Sequence, residues 1–272
     1  MSIAIIILSI NIDRKMEKFL SSLVDKNPNY NAYIVLDKNK NTKANFKNVS
    51  IIEIDHKIAT EKGYKDLLLR YYHRKNIKVK SFSPDKALYY FCEKEEKLFD
   101  YYWFLEDDVL IPHLDTLINI DKKYNNNDLL VENYRERTEN DFGWHWPLMV
   151  KDNKNRKREI KVQKAQQAEK KDYYLPEPWY GGWASIFRMS FELLKAIKEF
   201  VHNNKTLVFG EIFLVTLAKN KNLEVEVCEE FNMRYKYKSK KELWKIEEIK
   251  KEELYTTVKS KKLREKMRAN FY

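Results

Sequence analysis

Five large apolar residues in a row, Tyr101-Tyr102-Trp103-Phe104-Leu105, run without a break into three acids, Glu106-Asp107-Asp108. An uninterrupted apolar run reads as a strand buried on both faces, which is the condition of a parallel sheet covered by helices on either side. In open α/β sheets ligands bind outside the carboxyl ends of the strands, so the three acids stand where a ligand would be met. Residues 3–8, 33–36 and 49–54 repeat the buried pattern, and the second of these ends at Asp37. Two strand ends that deliver acids to one rim constrain the chain more than either does alone.

Helical spacing fills the intervals. Met16, Phe19, Leu20 and Leu23 line one face of residues 13–24, and Leu88, Phe91, Cys92, Leu98 and Phe99 line one face of 84–99, with Pro84 in the first turn. Residues 64–72 read as a further helix. Ser190 is placed to cap a helix bearing Phe191, Leu194, Ile197 and Val201, and a shorter helix covers 211–218. Strands are expected at 128–131, 184–187 and 223–227. Alternating strands and helices predict an α/β fold with a mostly parallel central sheet flanked by helices. Five glycines and six prolines in 272 residues speak against a turn-rich all-β fold, and 43% hydrophobic content excludes wholesale disorder.

The net charge of +11 is unevenly placed. Residues 151–171 carry nine basic and three acidic side chains, and residues 231–272 carry fourteen and six, so the rest of the chain is close to neutral. The first stretch reads as a mobile or weakly helical insertion, the second as a basic, helical C-terminal extension. Basic appendages favour phosphate-rich partners, including anionic lipid surfaces, although an AT-rich coding sequence accounts for the same excess of lysine. Leu243, Trp244, Ile246, Ile249 and Leu254 could give the extension an apolar face toward a membrane, or could dock it on the core. Arg234 could meet a diphosphate or remain a solvated arginine. Two cysteines, Cys92 and Cys228, make neither a disulfide framework nor a zinc site, which points to a reducing, cytoplasmic compartment. No apolar stretch is long enough to span a bilayer.

Three adjacent carboxylates repel one another and raise one another's pKa unless a cation intervenes. Mn²⁺ or Mg²⁺ would relieve them while sharing its shell with substrate phosphates; a merely solvated acidic turn is the alternative. The strand ending Phe104-Leu105-Glu106-Asp107-Asp108-Val109 resembles the Asp-x-Asp-type motif of glycosyltransferases with the GT-A fold, and its Leu-Glu-Asp-Asp-Val spelling is similar to lipopolysaccharide and procollagen glycosyltransferases. The opening Ile6-Ile7-Leu8-Ser9-Ile10-Asn11-Ile12-Asp13-Arg14 looks like their first strand and loop, and the similarity covers the first 110 residues. The resemblance implies a nucleotide-sugar donor, UDP-linked by preference, contacted by Ser9, Asp37, Glu106, Asp107 and Asp108, with Asp108 on the metal. Glu stands at the motif's first position where the family has Asp. The resemblance also implies a catalytic domain over 1–230, with 1–110 for the donor and 111–230 for the acceptor, followed by the extension at 231–272.

In Trp179-Tyr180-Gly181-Gly182-Trp183, paired glycines let backbone approach a ligand and the aromatic faces suit a sugar ring. A core turn with two packed tryptophans is the other reading. The resemblance assigns Trp179, Gly181, Gly182 and Trp183 to the sugar or acceptor. It assigns Glu211, which opens a helix, to deprotonation of the acceptor hydroxyl in an inverting reaction; ordinary helix starts carry acids too. The expected function is therefore sugar transfer to a hydroxyl of a glycan or lipid-linked acceptor in a bacterial or viral cytoplasm. The alternatives are a metal-dependent nucleotidyltransferase and a nucleic-acid-binding protein. The first lacks a glycine-rich first loop at Ser9-Ile10-Asn11, and the second is disfavoured because the basic runs lie outside the expected sheet.

Overall fold

The computed structural model of the protein describes residues 1–10, 12, 14–37, 47–66, 82–139, 141, 146–149, 151, 172–234 and 243–269. Its strands are β1 (Ile3–Ser9), β2 (Tyr30–Leu36), β3 (Val49–Glu53), β4 (Tyr101–Glu106), β5 (Leu129–Val131), β6 (Tyr134–Glu136), β7 (Tyr180–Gly182), β8 (Ile186–Ser190), β9 (Val225–Val227), β10 (Phe231–Asn232) and β11 (Leu254–Tyr255). Its helices are α1 (Arg14–Lys26), α2 (His56–Glu61), α3 (Ser83–Glu93), α4 (Thr116–Lys123), α5 (Phe191–Asn204), α6 (Gly210–Asn220) and α7 (Lys261–Ala269). One sheet holds seven strands in the order β3-β2-β1-β4-β8-β5-β9, all parallel except β8, which runs antiparallel to both its neighbours. The expected mixed α/β architecture is the observed one.

The pleat explains why the runs had to be wholly apolar. Ala4, Ile6 and Leu8 of β1 enter one core, while Ile3, Ile5 and Ile7 enter the other. Tyr102 and Phe104 divide from Trp103 and Leu105 in the same way. The first core takes in side chains of α3, α5 and α6, and the second takes in side chains of α1 and α4. Each such aliphatic side chain contributes roughly 1.5–3 kcal/mol when fully buried, so a polar residue in β1 or β4 would be costly on either face. Ser190 ends β8 and caps α5, its hydroxyl accepting from the Leu193 amide at 3.2 Å.

Several boundaries differ from expectation. The helix predicted over 84–99 ends at Glu93; Leu98 is 64% exposed, and Phe99 is buried only because the turn into β4 swings it against Tyr33, Phe91 and Tyr102. The strand expected at 184–187 begins at Ile186, leaving Ala184 and Ser185 as a loop at the rim. Tyr64 to Asp66 are not helical, and 67–81 lie outside the described residues. The insertion expected at 151–171 falls outside them from residue 152 onward.

The C-terminal extension is helical at Lys261–Ala269 and in a 3-10 turn at Ile246–Glu248; the rest of its described chain is extended or turned. β10 pairs with β11, Leu110 bridges to Tyr255, and a third core gathers Leu110, Trp244, Ile249, Tyr255, Val258 and Met267. Leu243 and Ile246 pack against that cluster, and Leu254 is buried in the second core. The apolar residues that might have faced a membrane thus dock the segment on the body. Arg234 is clamped bidentately by Glu248 at 2.9 and 3.1 Å and stacks over Trp244. Among the described residues no helix is long and apolar enough to cross a membrane.

Candidate active site

Ser9 joins the ends of three strands. Its carbonyl accepts from the Asp37 amide at 2.8 Å, continuing the β1–β2 ladder one step past the strand. Its hydroxyl donates to Asp107 Oδ2 at 2.6 Å, and the Asp107 amide donates to the Leu8 carbonyl at 3.1 Å. Ser9, Asp37 and Asp107 are therefore brought together at one rim, as the strand-end reading requires. Ser9 orients Asp107, a role that periodicity and spacing could not show.

The three acids of the motif meet different surroundings. Glu106 is an exposed residue, yet protein atoms crowd its carboxylate. Burial first, then the nearby Asp108 charge, push its pKa up to about 7, against a hydrogen bond from Ser185. Asp108 is also raised, by burial and by Asp107, while Arg264, the Thr257 amide and Lys259 act in the opposite direction. Asp108 Oδ1 is buried and has no hydrogen-bond partner among the described residues. An oxygen in that condition is one that an added cation would satisfy. Among the described residues no three His, Cys, Asp or Glu side chains are grouped to hold a metal on their own, so Mn²⁺ or Mg²⁺ here would need substrate phosphates and water in its shell.

Asp37 also has a buried carboxylate oxygen, Oδ1, without a partner among the described residues. Its carbonyl accepts from Lys86 Nζ at 2.6 Å, and the same ammonium reaches the Leu36 carbonyl at 3.2 Å. Lys86 is fully buried, and burial lowers its pKa against the pull of Asp37, Asp55 and Asp85. The end of β2 is thus held by a cation that the sequence reading did not single out.

A small cleft, open to solvent, lies over the ends of β1 and β2. Ser9 and Asp107 line it together with Lys261 and Arg264 of the C-terminal extension. Arg264 is only 5% exposed and donates to the Val258 carbonyl. The Val258 amide in turn donates to the Asp108 carbonyl at 3.0 Å, so the segment crosses directly over the acidic turn. The cations suit a phosphate group, and the carboxylates beside them suit hydroxyl donors or a divalent cation. No sequence signal marks these two among the fourteen basic residues of the extension.

On the other face of the rim, Glu211 sits in the first turn of α6. The helix start at Gly210 approaches Ala184, where an added methyl would meet the Ala184 Cβ at 3.9 Å. The neighbouring Ser185 carbonyl accepts from the Glu106 amide at 3.2 Å, so α6 opens beside the acidic strand end. The aromatic–glycine segment divides. Trp179 is a core residue: it is 3% exposed, donates to the Leu175 carbonyl at 3.0 Å, and carries Tyr173 on its edge and Arg137 over its face. Gly181 and Gly182 belong to β7, paired with β6, and a Cβ on Gly182 would fall 2.2 Å from the Asn133 carbonyl oxygen. Gly182 thus lets two strands meet and is spent on the protein itself. Trp183 lines a pocket, together with Glu132 at the end of β5. Glu132 repeats the apolar-run-then-acid pattern in Leu129-Leu130-Val131-Glu132, and that signal could have found it.

No protein-family profile matches the chain, and no curated protein is similar to it in sequence. Among solved structures, an active-site mutant of LgtC is similar at 11% identity and TM-score 0.42, over 99% of this chain and 96% of that one. The 4-diphosphocytidyl-2C-methyl-D-erythritol synthase from Anaerococcus prevotii is similar at 11% and 0.38, over 83% and 87%. Mouse xyloside xylosyltransferase 1 in its apo form is similar at 9% and 0.39, over 87% and 88%. Likenesses this distant do not bear on chemistry, which has to come from the residues at the rim.

Proposed function

We propose that the protein is a glycosyltransferase that moves a sugar from a nucleotide-sugar, UDP-linked by preference, to a hydroxyl of a glycan or lipid-linked acceptor. The observation that carries this reading is the cleft lined by Ser9, Asp107, Lys261 and Arg264, beside the unsatisfied Asp108. Asp37 and Glu106 hold the base and ribose by accepting from their donors, and Lys261 and Arg264 take the charge of the diphosphate. Asp108 would hold Mn²⁺ or Mg²⁺, which would further neutralise the leaving diphosphate. Glu211 takes the proton of the acceptor hydroxyl as its oxygen bonds to the anomeric carbon. The bond from that carbon to the phosphate oxygen breaks on the opposite face, which inverts the configuration. The start of α6 favours the ionised carboxylate that this role needs.

Calorimetric titration with UDP-, GDP- and CMP-sugars, each with and without Mn²⁺, tests the donor site. Binding of one class, strengthened by the metal, is expected; no binding of any would overturn the reading. Glu211→Gln should lower single-turnover transfer by about 10²–10⁴-fold with donor affinity kept. Transfer at the wild-type rate would remove Glu211 from the chemistry. The same mixed-charge cleft also suits a metal-dependent nucleotidyltransferase. Pyrophosphate release from a nucleoside triphosphate and a sugar phosphate would select that alternative.

A further inference from the structure

The mechanism above leaves unused a small recess, with room for little more than one hydroxyl-sized group, between the start of β8, the end of β5 and the C-terminal segment. We propose that this pocket receives the hydroxyl edge of an acceptor pyranose, with Glu132, Asn232 and Thr256 as polar contacts and Trp183 against its C–H face. The proposal rests on the transferase reading and gives the acceptor a place.

Thr256 is 2% exposed, lines the pocket, and its hydroxyl has no hydrogen-bond partner among the described residues. A buried hydroxyl left unmatched costs on the order of 1–3 kcal/mol, so a ligand hydroxyl that reaches it recovers a real deficit. The Asn232 Nδ2 donates to the Glu230 carbonyl at 3.3 Å and to Glu253 Oε2 at 3.0 Å, which fixes the amide and leaves its oxygen to accept. Glu132 adds a carboxylate, half-buried, with its pKa raised by burial against one hydrogen bond from the Met233 amide. Acceptors outnumber donors in this set, which matches a ligand rich in O–H rather than an anion. Trp183 and Met233 supply the apolar wall that a pyranose C–H face requires.

The position fits as well. β8 pairs Ile186 with Leu105, and the preceding Ser185 accepts from the Glu106 amide, so the pocket opens one residue along the rim from the acidic motif. The chain from Thr256 to Val258 passes from this pocket to the acidic turn, and the same segment continues to Lys261 and Arg264 in the donor cleft. One strap therefore lines both compartments.

Saturation-transfer NMR on the full chain with methyl glycosides of glucose, galactose, mannose and xylose tests the pocket, with UDP-sugar calorimetry run in parallel. At least one glycoside should bind. Thr256→Val and Glu132→Gln should each weaken it about tenfold, because a site built to hydrogen-bond a hydroxyl loses most when a partner is removed. Thr256→Ser should restore it, and UDP-sugar affinity should stay unchanged throughout. The proposal is overturned if no glycoside binds, or if binding survives both variants, as it would were the pocket only a water site. If glycosides bind through these residues while no nucleotide-sugar binds, the pocket stands and the transferase reading falls.

Discussion

Asp121 and Asp108 are both acids removed from bulk water, and the molecule treats them in opposite ways. Asp121 is 1% exposed, lies beneath the sheet, and is answered on every side. Tyr30 donates to one oxygen, Trp103 Nε1 reaches both at 3.2 Å, and Arg188 pairs with it at 2.8 Å. Arg188 also donates to the Tyr124 and Asn127 carbonyls and lies over the Tyr101 ring. Asp108 has a like charge as its neighbour, an oxygen with no partner among the described residues, and the cations Arg264 and Lys259 in the strap that crosses it. A buried charge completed by the protein is architecture. A buried charge left incomplete at a strand end is a site waiting for a ligand.

The strap makes the largest test of that contrast. Truncation after Lys240 removes Leu254, Tyr255, Val258 and Met267, each at most 1% exposed, and strips Asp108 of its nearby cations. Comparable core truncations cost about 2–5 kcal/mol per residue, so calorimetry should show loss of cooperative unfolding or a strongly lowered midpoint. An unchanged midpoint would make the segment an appendage, and liposome co-sedimentation across a salt series would then test its contact with an anionic membrane. Next in size is Arg188→Leu, which leaves Asp121 buried without its counter-charge. Urea unfolding should show a loss of about 3–5 kcal/mol, and a far smaller loss would mean that Tyr30 and Trp103 suffice. By contrast Asp108→Asn should leave stability unchanged or raise it by up to about 1 kcal/mol, because it relieves repulsion with Asp107. The same variant should abolish Mn²⁺-dependent strengthening of donor binding in calorimetry; retained strengthening would move the metal elsewhere.

Much of this contrast was legible before any coordinates. The apolar runs of β1 and β4 had to be buried on both faces, and the acids at their ends had to reach the rim. Trp179 and Gly182 misled because an aromatic–glycine segment is equally good at packing strand on strand and at meeting a sugar. The strap was hidden for a different reason. Its strands are two residues long, and its contacts with Leu110 and Ile111 join positions far apart in sequence, so no local period announces them. Lys261 and Arg264 carry no signature among so many lysines, whereas Glu132 did repeat a recognisable pattern.

Glu106 should give the smallest effect, and it falls between the two extremes. Its pKa of about 7 stands above the ordinary 4.5, so the native state holds a proton that the unfolded chain releases across that interval. Stability therefore falls as pH rises from about 4.5 to about 7, is flat above, and is recovered in full below. Asp108 and Glu132 are raised by burial as well and tilt the wild-type curve in the same direction, so the informative quantity is a difference. Urea midpoints of wild type and Glu106→Gln, measured from pH 4.5 to 8, should diverge through that window, with the wild type losing stability relative to the variant. The divergence should be modest because solvent reaches the carboxylate and screens it. Parallel curves would show that Glu106 carries no net burial penalty in the folded state, and the unfinished charge of the rim would then rest on Asp108 and Asp37 alone.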